Sequence, residues 1–361
     1  MPALSGIPMS TPSILFEVLP GPHGSIGLIT LNRPNQLNAL NEEMCLTLST
    51  HLSDWDAQEQ IKAVLICGAG ERAFCAGGDV RSIYSLRDQL EKGRYFFAKE
   101  YQLNAQIYHF KKPYIAWMDG ITMGGGAGIS IHGSHRIATE KLQFAMPETG
   151  IGFFTDVGAT YFLSRLPGKI GCYLGLTGQV LEAAEALQIG LVDSVLLSTD
   201  FQPLLNQLTQ AHWGENPHAV VDQLLAPLSF FMSTTDVEEN WIQHRATIDR
   251  CFAAPSVEEI HAALDKTGDA WSQKTAQLLH TRSPTSLKVV RQALENAATL
   301  DFDACMAMEY RLACHFLEKP DFYEGVRAAV IDKDRSPVWQ PPTLEAVDAK
   351  TISRYFDTKK A

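Results

Sequence analysis

No stretch of this 361-residue chain approaches the roughly 20 apolar residues that a membrane-spanning helix needs, so no membrane role is expected. Basic charge is also scarce. The 30 Lys and Arg face 41 Asp and Glu, leaving a net charge of −11. That balance excludes sequence-independent nucleic-acid binding, which needs a basic surface, although a local cation cluster could still hold an anion. The seven cysteines (Cys45, Cys67, Cys75, Cys172, Cys251, Cys305, Cys314) form no C-x-x-C pair and no zinc spacing, so no metal is expected. Their odd number and scatter fit reduced thiols in a cytosolic compartment. Met1 to Ile14 has no Lys or Arg and no long apolar core, so no secretory leader is expected and the cytoplasm is the expected location. Three catalytic signatures are missing too. There is no G-x-S-x-G elbow, no H-E-x-x-H and no Lys-Ser/Thr pair after a glycine loop.

Glycine is plentiful where it counts. Gly124 to Gly128 holds four glycines in five positions, after the strand-like Tyr114–Met118 and before Ile129–Ile131, which can continue as a helix. A strand that passes through glycines into a helix exposes backbone N–H groups able to hold an anion. Without Cβ atoms, the backbone can also approach a ligand closely. Glu148 and Asp156 follow on a second segment. An anion-holding backbone with carboxylates nearby suggests chemistry at a carbonyl. Close packing and a nucleotide-phosphate loop are the competing readings of the same glycines. Ala73–Asp79 is a second glycine-bearing turn between a strand and a helix. Two such turns could each give one N–H to a common oxyanion hole, or this one could be an ordinary loop capped by Asp79.

In chain order, residues 1–12 read as a loose tail. Strands are expected over 14–18, 26–31 and 63–67, with a helix from Asn41 as N-cap that carries Met44, Leu48, Leu52 and Trp55 on one face. Beyond about residue 200 strand signals fade and helical spacing dominates. This predicts an α/β core over 13–200 and a mainly helical region over 201–361, ending in a short polar tail from Pro341. His132 and His135 read as packing residues. Cys75 reads as a small buried residue rather than a nucleophile.

Asn32-Arg33-Pro34 with Asn38-Ala39-Leu40, Ala73–Asp79, and Gly120 with Gly124-Gly125-Gly126 resemble the crotonase (enoyl-CoA hydratase/isomerase) superfamily. Leu176-Thr177-Gly178, Ala183–Ala186 and Gly190–Asp193 continue the resemblance. Residues 120–126, 138–141, 144–149, 156–158, 283–288, 309–312, 324–328 and 331–334 are similar to its 3-hydroxyisobutyryl-CoA hydrolase branch.

The resemblance implies an α/β spiral of ββα turns, followed by helices. It implies an acyl-CoA substrate, with CoA part of that substrate and no separate cofactor. Family positions fall on the N–H groups of Gly78 and Gly125 as oxyanion donors, Glu148 and Asp156 as the acidic pair, and Glu100 as a further substrate contact. The hydratases carry a second catalytic glutamate where this chain has Gly128, which argues for hydrolysis over hydration. Where the hydrolase pattern has a proline before Asp156 and two glycines after Gly158, this chain has Thr155, Ala159 and Thr160. The expected function is hydrolysis of a short 3-hydroxyacyl-CoA, 3-hydroxyisobutyryl-CoA first among them, in valine breakdown. An enoyl-CoA isomerase or hydratase on the same fold is one alternative, and a non-catalytic CoA-ester-binding protein is another. A homo-oligomer is compatible with the family, which often forms trimers.

Overall fold

A computed structural model of the chain describes residues 11–228 and 241–357, so residues 1–10 of the expected tail lie outside the described residues. Two strands, β1 (Ile14–Gly21) and β2 (Gly24–Leu31), form a hairpin closed by Pro22 and His23. Helix α1 (Glu42–Ala57) starts at Asn41, whose side chain accepts a hydrogen bond from the Met44 N–H. Then come β3 (Ile61–Gly68), β4 (Ala73–Cys75), α2 (Val80–Ser85) and α3 (Leu90–Tyr108). After β5 (Tyr114–Met118), β6 (Ile121–Met123) and the short α4 (Gly125–Gly128) come β7 (His135–Thr139) and β8 (Gln143–Ala145). Helices α5 (Ala159–Leu163), α6 (Ile170–Thr177) and α7 (Ala183–Gln188) lead to β9 (Ser194–Leu196).

The strands alternate between two sheets. One has the order β1-β2-β3-β5-β7-β9, parallel after the first hairpin, and the other is β4-β6-β8, wholly parallel. After the β1–β2 hairpin, each ββ unit gives one strand to each sheet, which is the spiral the resemblance implies. Both faces of the larger sheet are covered, so its strands read as nearly continuous apolar runs. Their alternation still sorts the side chains. Ile26, Leu28, Ala63, Leu65, Ile115 and Trp117 face one cluster, while Ile29, Leu31, Val64, Ile66 and Ala116 face the main core. Each fully buried Leu or Ile contributes roughly 1.5–3 kcal/mol.

Helices follow from residue 200. The first two, α8 (Phe201–Gln210) and α9 (Pro217–Leu225), cover the outer face of the large sheet through Leu204, Leu208 and Val221. The later ones are α10 (Arg245–Cys251), α11 (Val257–Thr267), α12 (Ala270–His280), α13 (Pro284–Ala297), α14 (Phe302–Leu317) and α15 (Pro320–Val326). Their Val290, Leu312, Phe316 and Phe322 belong to the same buried cluster as Ile29 and Met118. The change of character near residue 200 therefore marks a change of secondary structure inside one core. The stretch after Pro341 differs from the expected polar tail. It forms α16 (Ala349–Tyr355), capped by Asp348, with Val347 and Tyr355 buried against α13 and α14. A polar sequence with few apolar anchors gave no hint of that docking.

Candidate active site

The small sheet builds the site. Its three strands are parallel, with one register shift between Ala73 and Cys75; Cys75 lies beside Thr122 and Met123 beside Ala145, so their C-terminal ends leave at one edge. Ligands of parallel sheets gather beyond such ends. The residues that follow are Gly77-Gly78, Gly124-Gly125 and Pro147-Glu148. All six line one cavity of about 220 Å³, together with Glu100 from α3 and Asp156. The structure thus brings together every residue singled out for the site: Gly78, Glu100, Gly125, Glu148 and Asp156.

Local geometry aims the two backbone donors. Leu40 donates its N–H to the Gly77 carbonyl at 2.8 Å and accepts from the Asp79 N–H at 2.7 Å. The groups flanking Gly78 face Leu40, so extended-chain alternation turns the Gly78 N–H the opposite way. Leu40 is itself held by Asn38. The buried Asn38 amide donates to the carbonyls of Ala69 and Ala73, both at 2.9 Å, and accepts from the Arg33 N–H. Arg33 bridges to Asp79 at 3.0 Å, and Asp79 caps α2 through the Ser82 N–H. The Asn-Arg-Pro and Asn-Ala-Leu stretches are therefore struts for the first donor.

Gly124 adopts φ 47°, ψ −121°, a conformation open only to glycine, and delivers the Gly125 N–H as the first of α4. First-turn N–H groups have no partner within their helix. A Cβ on Gly125 would lie 2.5 Å from Glu100 Oε1 and 3.1 Å from the Gly78 nitrogen. Glycine at 125 therefore keeps the space between the two donors open.

The carboxylates sit in a dry setting. Phe96, Phe97, Phe153 and Phe322 wall the cavity, and no Lys, Arg or His is among its described lining residues. Glu100, Glu148 and Asp156 are all buried. Burial, and next the Asp156 charge, push the Glu148 and Glu100 carboxyls well above the usual range. Burial raises Asp156 to about 7, against the pull of a hydrogen bond from the Tyr101 hydroxyl to its Oδ2 at 2.6 Å. Such crowding favours proton sharing near neutrality. Glu148 Oε2 and Glu100 Oε1 have no hydrogen-bond partner among the described residues.

Position 128 is closed. A Cβ on Gly128 would lie 2.7 Å from both Asn104 Nδ2 and Val157 Cβ, so no second carboxylate fits there. The thiol of Cys75 is buried, pushed up to about 12 mainly by burial, and outside the cavity lining, as expected of a packing residue. His132 packs too, with its Nε2 2.7 Å from the Val157 carbonyl.

Two contributors escaped the sequence reading. Tyr101 follows Glu100 on α3, where it looks like one more core aromatic. Glu309 carries a signal that could have found it. It lies on α14 in line with Cys305, Leu312, Ala313 and Phe316, a charge on an apolar stripe.

The enoyl-CoA hydratase/isomerase sequence profile matches residues 26–356. The chain belongs to the enoyl-CoA hydratase/isomerase family. Curated relatives within it include the 3-hydroxyisobutyryl-CoA hydrolase, mitochondrial, of Danio rerio, 43% identical over 96% of this chain and 89% of that protein. The Homo sapiens protein of the same name is 40% identical over 94% of this chain and 88% of its own length. Among solved structures, a carnitinyl-CoA dehydratase from Mycobacterium thermoresistibile superposes with a TM-score of 0.88 at 36% identity, covering 97% of this chain and 98% of that one. An enoyl-CoA hydratase from Rhodobacter sphaeroides gives 0.83 at 32% identity, covering 96% and 97%. The crotonase fold is thus shared along nearly the whole chain. The names of these family members point to two reactions, hydrolysis and the gain or loss of water. No helix among the described residues is long and apolar enough to cross a membrane.

Proposed function

We propose that the protein hydrolyses the thioester of a short 3-hydroxyacyl-CoA, 3-hydroxyisobutyryl-CoA first among them, as a step of valine breakdown. The observation that carries this reading is the meeting of the Gly78 and Gly125 turns with Glu148 in one small, apolar-walled cavity. The closed position 128 favours hydrolysis over hydration, because adding water across a double bond needs acid and base groups near both carbons. The names and high coverage of the curated relatives favour the same substrate.

The reaction runs as follows. The thioester oxygen lies between the Gly78 and Gly125 N–H groups, whose dipoles are oriented before charge develops. One such donor is worth on the order of 3 kcal/mol in the transition state. Glu148 either attacks the carbonyl, expelling CoA thiolate and leaving an anhydride that water opens, or takes a proton from the attacking water. Both routes give the free hydroxy acid and CoA thiol. In a single turnover in ¹⁸O-water, direct water attack labels the product, and unlabelled product with label on Glu148 identifies the anhydride. If water opens the anhydride at the Glu148 carbonyl, the product carries no label. Asp156 receives the 3-hydroxyl of the substrate or orients Glu148 and water, and Glu100 helps to hold the hydroxyl end.

Glu148→Gln tests the reading. Its expected outcome is CoA release reduced by at least about 10³-fold with the CoA ester still bound. Near-normal release from that variant would sink the assignment. In parallel, the wild type is offered 3-hydroxyisobutyryl-CoA, 3-hydroxypropionyl-CoA and methylacrylyl-CoA with a thiol reagent. Absorbance changes at the enoyl thioester without thiol release would move the assignment to an isomerase or hydratase.

The chemistry needs nothing beyond backbone dipoles, carboxylates and water, so no cofactor is required other than the CoA of the substrate. Activity is expected to survive exhaustive dialysis against a chelator. The compartment proposed is the cytoplasm. The relatives carry mitochondrial names, and localisation of the tagged full-length protein decides between the two. Association into homo-oligomers is read by sedimentation.

A further inference from the structure

The turn after Asp156 holds a shape its own sequence disfavours. Val157 has φ 54° and Gly158 φ 83°. For a β-branched residue such a positive φ is an outlier that persists only when surrounding contacts enforce it. Two contacts do so. The ring Nε2 of His132, which must carry the hydrogen because a carbonyl cannot donate, bonds the Val157 oxygen at 2.7 Å. From α14, the fully buried Glu309 takes the other side. Its Oε2 accepts the Gly158 N–H at 2.7 Å, and its Oε1 accepts the Thr160 N–H at 3.0 Å and the Thr160 hydroxyl at 2.6 Å. Glu309 is not among the cavity-lining residues.

We propose that Glu309 is a positioning residue whose carboxyl group latches the turn after Asp156 and so aims Asp156 into the cavity. Locally the turn is closed by one backbone bond, from the Ala159 N–H to the Asp156 carbonyl at 2.9 Å, and with a valine rather than a glycine just after Asp156 the positive φ still depends on contacts from outside the turn. A carboxyl group fits here where an amide does not: each oxygen faces an N–H, and an amide would set its own NH₂ against one of them. The helical C-terminal half thereby completes a site otherwise built by the spiral. Misaiming a catalytic group by about 1 Å can cost on the order of 10²-fold in rate.

The proposal rests on the reading of Asp156 as part of a thioester hydrolase, so its test has one arm that needs no activity. Full-length wild type and Glu309→Gln are compared by hydrogen exchange of the peptide covering 156–161, by thermal melting, and by turnover of 3-hydroxyisobutyryl-CoA. The latch predicts faster exchange confined to that peptide in a cooperatively folded variant. It also predicts kcat lower by roughly 10–10²-fold with KM within about threefold, the pattern of a lost transition-state contact. Unchanged exchange overturns the latch, and faster exchange with unchanged kcat overturns the aiming of Asp156. If Glu309→Gln does not fold, Thr160→Ala, which removes one of the donors, is read the same way with smaller expected effects. A wild type that releases no CoA fails the hydrolase reading and, with it, the aiming of Asp156; the exchange arm still decides the latch.

Discussion

Tyr101 holds Asp156 with a single hydrogen bond inside a wall of phenylalanines, and that bond sets when the aspartate ionises. A donor to a carboxylate stabilises the charged form, so it lowers the pKa that burial has raised to about 7. Tyr101→Phe removes the donor and pushes Asp156 higher still. Where turnover needs ionised Asp156, the acid limb of the pH–kcat profile moves to higher pH by about one to two units, because a hydrogen bond to a charge is worth roughly 1.5–3 kcal/mol. Rates of the two proteins should converge at high pH. Glu100 and Glu148 face the same aspartate and titrate with it, so the limb belongs to the cluster and its displacement, rather than its absolute position, is the readout. An identical limb in the two proteins would remove Asp156 ionisation from the rate.

At the scale of elements, the strand ends β4, β6 and β8 do the assembling. Because all three run parallel and end at one edge, the residues just beyond each end meet without any long-range signal in their own sequence. The short α4 then converts glycine geometry into an oriented N–H. Gly125→Ala tests this. The added methyl meets Glu100 Oε1 at 2.5 Å and crowds the Gly78 nitrogen at 3.1 Å, closing the gap between the donors. The expected loss in kcat is about 10²–10³-fold, the cost of an oxyanion donor. Steady-state CoA release measures it, with circular dichroism confirming the fold. Wild-type kcat in this variant would place the carbonyl oxygen elsewhere.

For the whole molecule, the site carries a stability cost that depends on pH. Glu100, Glu148, Asp156 and Glu309 have folded pKa values above their unfolded ones, chiefly through burial, with Asp156 at about 7 and Glu309 at about 8. Their folded forms prefer the proton. The stability this contributes is fully present below about pH 4, and it is lost as pH rises through the folded values. Calorimetric Tm should therefore fall between pH 5 and 8, and the fall should be shallower in Asp156→Asn. A Tm that rises over this window would show these carboxylates to be ionised and well paired in the fold.

The sequence by itself determined much of this protein. The apolar strand runs, the Asn41 cap and the glycine turns are local patterns, and local physics reads them. The sequence also carried the five site residues, because family motifs sit at fixed places along the chain and the parallel sheet brings those places to one edge. The expected tail was misread, since α16 is anchored by only a few buried side chains. Only the tertiary structure decided what surrounds the site. Tyr101 bonds Asp156 across 55 residues, Glu309 reaches Gly158 across 151, and Asn104 with Val157 closes position 128. Those contacts join residues far apart in the chain, and no periodicity or motif records a distance that exists only once the spiral has closed and the helices have docked on it.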